Sequence, residues 1–532
     1  MKGCDRTDGG ARAGTIAWLR DYGAKRLNSL LIDTRRCIPP YIVLDFGNAG
    51  LLGLQAPTEM GGLALSNLDA VAVLAQLAAI DLNLAAFTVV HNCLGVGPVM
   101  RAAREPTRSE ILAELASGRK LGAFALTEPV AGSNPNGLQG TAVLGPDGRL
   151  KLNATKMWIG SAGWSSYINV FARYIGGPGG SQGTSAHIVP VGTPGLRIGP
   201  ELLTMGMRGM VQNVVHFEDV ALEERYQLGT QGEGMAVAKD AMMLTRLALG
   251  AAFLGAMKRC LQLMTRYTER RTGICAGRLV DNPVTRVRTC TILAQTIVLE
   301  QLVTFAASAL DRQIDVPEEL LIVAKAAGSE FLWQASDWAL QALGGRGYLE
   351  SNIITQIMRD ARVGRIFEGP TETLLHHIGS RLMLSEGTLL DFLARQLDAA
   401  DIAAKLVAAR DAMKTRCVGL SESYPGRQAR DYGNFVLGAI VSKGILHAAG
   451  RHAGRKETPS WSARWAARIF EEAVTKVDED IDEWALPAND LLSRVNGLTT
   501  DIGDVEQSMP GEEWRLDPYL RVDANAIDNF VW

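Results

Sequence analysis

The sequence has no surplus of either charge. Its 54 Lys/Arg stand against 57 Asp/Glu, a formal net charge of −3, so no nucleic acid or anionic membrane surface is expected as an obligate partner. No cysteine pair has CxxC spacing. The seven cysteines (Cys4, Cys37, Cys93, Cys260, Cys275, Cys290 and Cys417) are odd in number and widely spread. They argue against a disulfide framework and a metal site, and read as reduced cytosolic thiols. The start, MKGCDRTDGGARAG, lacks the apolar segment of a secretory signal. No uncharged apolar run reaches the roughly 18 residues of a transmembrane helix. A cytoplasmic protein without a membrane span is therefore expected. GxSxG and GxxxxGK[ST] are missing, and seven histidines, two adjacent at His376-His377, form no triad signature. The Gly-rich GTQGEG at 229–234 follows no βαβ pattern and reads as a loop before a helix.

What is present is ordinary globular material, 47% hydrophobic and 21% charged over 532 residues, with room for about two to four domains. Residues 1–120 read as helical, with apolar residues at helical spacing in TIAWLRDYGAKRLNSLLID and one long apolar helix over 66–90. PTEMGG at 57–62 punctuates this region as a turn. Residues 121–230 change texture to short strand-like runs between Gly, Pro, Asn and Asp. Pro-Asp-Gly at 146–148 marks a hairpin, and GGPGGSQGTS at 176–185 marks a loop. Residues 231–383 return to long amphipathic helices, over 235–270, 283–311 and 317–343, as in a four-helix bundle. Residues 384–532 form an additional helical domain carrying 17 Lys/Arg against 24 Asp/Glu.

Three separated stretches share one pattern: AFALTEPVAGSN (123–134), KMWIGSAG (156–163), and QALGGRGYLE (341–350) leading into MRDARVGRIFEGPTET (358–373). With PTEMGG, MGMRG (205–209) and HFEDV (216–220), they resemble the acyl-CoA dehydrogenase family of flavoproteins over about residues 12–383, in the family's order. The resemblance implies an α+β fold: an N-terminal helical domain, a central β-barrel-like domain and a C-terminal four-helix bundle, here with an extra helical domain. It implies FAD as cofactor and α,β-dehydrogenation of an acyl thioester.

The same resemblance assigns candidate residues. Phe124, Leu126 and Thr127 would contact the flavin ring, and Ser133 would lie near its pyrophosphate and the substrate's thioester arm. Trp158 would cover the flavin. Where the family often has a Thr donating to flavin N5, this chain has Gly160 followed by Ser161, so either Ser161 or a backbone N–H replaces that contact, or N5 is tuned differently. Arg270, Gln341, Gly344 and Gly345 match contacts to a neighbouring subunit's FAD, although the aromatic usual after the Arg is missing. Thr371 and Glu372 match FAD contacts after the catalytic loop, and Pro370 replaces a frequent Thr.

GRIFEGPTET alone reads as a solvated loop carboxylate. Within the resemblance, Glu368 is the general base for the α-proton, and its backbone N–H helps bind the thioester oxygen while the β-hydride leaves for flavin N5. Gly369 lets the backbone approach the carbonyl. The α-proton of a thioester is weakly acidic, so its base needs a pKa raised by exclusion from water. Family members with the base on a bundle helix place it just before an Arg. Here that position is Thr245, which cannot serve, followed by Arg246. Arg246 orients the loop, binds substrate or makes a structural ion pair.

The expected function is thus an acyl-CoA or acyl-carrier-protein thioester dehydrogenase. The wording RIFEGPTET with LGGRGYLE is similar to the carrier-protein branch of secondary metabolism. Expected partners are the acyl carrier, an electron-transfer flavoprotein or other acceptor, and further copies of the chain as homodimer or homotetramer. An acyl-CoA oxidase, or a non-dehydrogenase flavoprotein of the same fold, is the alternative. A DNA-protecting member would need basic C-terminal helices, and these are net acidic.

Overall fold

A computed structural model describes residues 10–176, 182–272, 277–384, 387–420, 426–453, 460–477 and 487–504, with 507. Cys4, Cys275 and residues 177–181 of the glycine-rich 176–185 stretch lie outside these residues. Two compact units emerge, Met1–Val474 and Thr475–Trp532.

The first unit opens with helices. Ser66 caps the Asn67–Ile80 helix by accepting from Asp69 N at 3.1 Å. The single helix expected over 66–90 is broken at Asp81. Its backbone is extended, and its carboxylate caps a second helix, Leu82–Val89, by accepting from Leu84 N at 2.9 Å. A side-chain acceptor that satisfies free N–H groups favours restarting the helix over continuing it. Every residue of Leu82–Val89 is buried. It runs into a π-helical turn, Val90–Val96, and then the Gly97–Ala102 helix. PTEMGG is the expected turn, with a 3₁₀ segment at Thr58–Met60 and Gly61 at φ 88°.

Eight strands follow: β1 Gly122–Ala125, β2 Thr141–Leu144, β3 Leu150–Gly160, β4 Tyr167–Ile175, β5 Thr184–Pro190, β6 Leu196–Glu201, β7 Gln212–Leu222 and β8 Gln227–Leu228. Their order is β6-β7-β3-β2-β4-β5-β8, with β1 parallel to β4. The β2–β3 hairpin turns at the expected Pro-Asp-Gly, pairing Leu144 with Leu150 and setting Gly148 at φ 74°. One set of strand side chains, including Ile159, Ile168, Val215 and Phe217, builds the sheet's own core. Another set, Phe171, Ile188 and Leu228, packs on Val96, Val99, Ile111 and Leu115 of the N-terminal helices.

The bundle helices are Gly234–Arg270, Pro283–Asp311 and Glu318–Leu343, followed by Ile353–Gly364 and Thr371–Leu384. Asn282 caps the second of them, with Pro283 at its first position. Three helices, Leu82–Ala102, Gly234–Arg270 and Pro283–Asp311, are long and apolar enough to cross a membrane by length and composition. Within this protein 89%, 78% and 56% of their apolar windows are buried.

Residues beyond the bundle divide. Thr388–Gln396, Ala400–Leu420, Gly426–Ala453 and most of Trp461–Thr475 belong to the first unit. There Gly426–Ala453 lies directly on Thr371–Leu384, backbone to backbone. A Cβ at Gly379 would stand 1.8 Å from Asn434 O, and one at Gly438 1.8 Å from Leu375 O. The second unit contains the described helices Ala488–Gly497 and Thr499–Ile502.

Candidate active site

Two clusters form, one where the segment after β1 meets β3 and one in the bundle. The chain leaves β1 as Leu126-Thr127-Glu128. Glu128 is buried and accepts from Gln139 N at 2.5 Å and Gly140 N at 3.0 Å. It also meets Lys156 of β3 at 2.7 Å, with side-chain exposures of 3% and 0%. Lys156 Nζ donates further to Leu126 O (3.0 Å) and Phe171 O (2.6 Å). Burial pushes its pKa down and Glu128 pulls it back up. A buried ion pair is tolerated when its remaining donors and acceptors are also matched, as here. Met157 N adds a bond to Thr127 O at 3.0 Å. The TEP segment is thereby fastened to the KMW strand.

The β3–β7 register shifts between Lys156 and Ile159. Such a bulge re-aims side chains, and Trp158 sits in it at φ 55° with 56% of its surface exposed. A large aromatic held out on left-handed backbone is strained and costly unless something packs on it. Gly160 is not enforced by crowding, because a Cβ there would first meet the Gln212 side chain at 3.5 Å. Ser161 has φ 61° and donates its N–H to Val211 O at 2.8 Å. Its Oγ is buried without a hydrogen-bond partner. An orphaned hydroxyl beside an exposed, strained Trp fits a planar polar ligand. The Phe124 ring packs against that of Phe171, with centroids 4.6 Å apart and planes tilted by 48°. Ser133 is exposed on the TEPVAGS turn.

In the bundle, Glu368 and Gly369 take successive left-handed conformations, φ 54° and 95°. This turn joins Ile353–Gly364 to Thr371–Leu384. The side-chain atom Glu368 Oε2 is buried without a hydrogen-bond partner. Burial pushes the Glu368 pKa above its ordinary value, while Arg246 and Lys325 pull it down. Arg246 Nε donates to Glu368 O at 3.3 Å, and Lys325 Nζ to Gly369 O at 2.6 Å. Of the readings open for Arg246, loop orientation is the one its hydrogen bond supports. The buried Thr245 donates its hydroxyl to Ala241 O at 2.8 Å, within its own helix. Thr371 is buried and donates to Glu330 Oε1 at 2.8 Å, an atom that also receives Arg365 Nε. Glu372 is exposed. Arg270 and Gln341, Gly344 and Gly345 are exposed at the C-terminal ends of two bundle helices, with no atom within 4 Å of a Cβ built on either glycine.

The π-turn at Val90–Val96, to which no function is assigned above, touches both clusters. His91 Nδ1 accepts from Gly122 N at 3.3 Å, and Asn169 Nδ2 donates to Leu94 O and Gly95 O, which pins the turn to β1 and β4. From the same turn Cys93 reaches Thr245 and the field of Glu368, and burial pushes its thiol up to about 12. Lys156, Lys325 and Cys93 carry no motif. Glu128 and Lys156 do each lie inside a quoted stretch, and an acid and a base in two facing motifs was the available signal.

Among the described residues the fold is a helical layer, an eight-stranded sheet and a helical bundle, with a buried loop carboxylate and an exposed Trp on a sheet bulge. The chain belongs to the acyl-CoA dehydrogenase family: its N-terminal, middle and C-terminal domain models match residues 17–119, 123–220 and 232–383. The acyl-CoA dehydrogenase of Bacillus subtilis is 27% identical over 357 residues, covering 66% of this chain and 93% of that protein. The human mitochondrial short-chain specific acyl-CoA dehydrogenase is 29% identical over 375 residues, 69% of this chain and 88% of that protein. Butyryl-CoA dehydrogenase from Megasphaera elsdenii superposes with a TM-score of 0.67 at 25% identity, over 72% of this chain and 100% of that one. An FAD-complexed acyl-CoA dehydrogenase from Bacillus anthracis has the same fold over 93% of this chain and 91% of its own, with TM-score 0.74 and 21% identity. The family is FAD-dependent, and FAD is the cofactor.

Proposed function

We propose that this protein oxidises the α,β-bond of an acyl thioester, with Glu368 as the base. The observation that carries this is the Glu368 carboxylate: buried, unpartnered at Oε2, raised in pKa and held on a left-handed turn by two cations. Trp158 would lie against the flavin, with Phe124, Leu126, Thr127 and Ser133 along it. Ser161 Oγ would donate where Gly160 offers no side chain. FAD, when bound, supplies the hydride acceptor. The chain's own part is to take the α-proton at a Glu368 carboxylate oxygen, to offer the Glu368 N–H to the thioester carbonyl, and to keep water out. Developing enolate charge is stabilised by such a preoriented donor. Only the ionised carboxylate can accept a proton. The rate of flavin reduction should therefore rise with pH, through a midpoint above the ordinary value of 4.5.

Glu368→Gln should retain FAD and slow flavin bleaching by at least about 10²-fold. Bleaching at the wild-type rate would overturn the reading. Glu372→Gln, at an exposed carboxylate, is the control. The carrier is CoA or an acyl carrier protein, and one acyl chain presented on both separates them. Electrons would pass to an electron-transfer flavoprotein. Fast reoxidation by oxygen would instead identify an oxidase.

A further inference from the structure

Lys325 is fully buried in the middle of the Glu318–Leu343 helix, and no step above uses it. A buried ammonium needs a partner. Lys325 Nζ donates to the carbonyl of Gly369 at 2.6 Å and stands 6.0 Å from the Phe367 ring centroid. It therefore grips the residue after Glu368 and faces the residue before it. From a second helix, Arg246 donates to the carbonyl of Glu368 itself. Two bundle helices thus deliver one cation each to successive carbonyls of a turn whose residues are both left-handed.

We propose that Lys325 is a positioning residue for the base: anchored on the Gly369 carbonyl, it fixes the Phe367–Gly369 turn and supplies nearby positive charge that lets the Glu368 carboxylate ionise away from water. This rests on the reading of Glu368 given above.

The groups around the pair are few. Glu368 feels Arg246 and Lys325, and its charge acts on the Cys93 thiol from the π-turn. Lys325 feels Glu368, Arg246, Glu330 and Glu372. Glu330 is engaged by Arg365 and Thr371, and Arg246 also feels Glu318. Burial drives Lys325 down to about 7, Glu368 pulls it up and Arg246 pushes it further down. The two charged forms therefore support each other: an ionised Glu368 holds the ammonium, and the ammonium holds the carboxylate.

The test compares Lys325→Met and Lys325→Gln with wild type and Glu368→Gln, all as FAD-loaded full-length protein. Flavin reduction by one acyl-CoA is followed against pH, and deuterium exchange of the 366–369 amides is followed without substrate. In both Lys325 variants the midpoint of the rising limb should move up by about one pH unit. In Lys325→Met those amides should also exchange faster. A merely structural lysine would lower the rate at every pH and leave the midpoint in place. An unmoved midpoint in a folded Lys325 variant overturns the proposal, and Lys325→Gln decides it if Lys325→Met does not fold. If wild type reduces its flavin with no acyl thioester, the functional reading falls. Exchange at 366–369 then decides whether Lys325 holds the turn.

Discussion

Lys156 has an acceptor for each of its three N–H bonds, Glu128 Oε1, Leu126 O and Phe171 O. The lysine alone could not stay charged at 0% exposure, and Glu128 alone would be an unpaired buried carboxylate. Lys156→Met should therefore lower the free energy of unfolding by about 3–5 kcal/mol, the range for stranding one partner of a buried pair. A urea titration measures this. Adding Glu128→Gln to Lys156→Met removes the stranded charge and should recover part of the loss. Glu368 behaves oppositely: its Oε2 has no partner and its cations bind the backbone of the turn, which fits the base proposed above. Glu368 was singled out by the family resemblance of its loop, since GRIFEGPTET alone reads as a solvated carboxylate. Lys325 was not, because a lysine in a helix normally faces water, and nothing local marks one that does not.

At the scale of the element, small residues decide which surfaces meet. Gly379 and Gly438 let Thr371–Leu384 and Gly426–Ala453 touch through their backbones. Gly438→Val would drive a side chain into the Leu375 carbonyl. It should lower thermal stability by the equivalent of about 1–3 kcal/mol or more, read as a fall in Tm. Gly419→Ala, where nothing lies within 4 Å, should leave Tm unchanged or raise it, since Ala is the better helix former. The pattern over 66–90 shows the limit of periodicity: it marked helix throughout, and the cap at Asp81 was invisible in a run of apolar residues. The π-turn after it is similarly silent in sequence, although such turns recur at functional sites.

Across the whole molecule, Arg270, Gln341, Gly344 and Gly345 face solvent in a single chain, as residues reserved for a second copy would. We propose that the FAD-loaded protein is a homodimer or a dimer of dimers. Light scattering should give two or four times the 57.3 kDa chain mass, and Arg270→Ala should weaken FAD retention if the neighbour's cofactor is its partner. An active, FAD-retaining monomer would refute this. The three apolar helices fit the same whole-molecule view, because their apolar windows are mostly covered by packing. Length and hydropathy describe a helix alone, whereas burial depends on what the other elements bring to it.

The order of layers and the turns could be read from the sequence, and the family resemblance of its loop singled out Glu368 as the proposed base. Those depend on local chemistry: Pro-Asp-Gly makes a hairpin wherever it falls, and Glu-Gly-Pro bends the chain around one carboxylate. Only the tertiary structure decided what surrounds that carboxylate. Arg246, Lys325 and Cys93 arrive from three segments separated by up to 232 residues. Their convergence on Glu368 follows from how helices pack, and packing is a property of many weak contacts summed over the fold. The desolvation that raises Glu368 and lowers Lys325 has the same origin. Neither shift exists until the helices close around the pair.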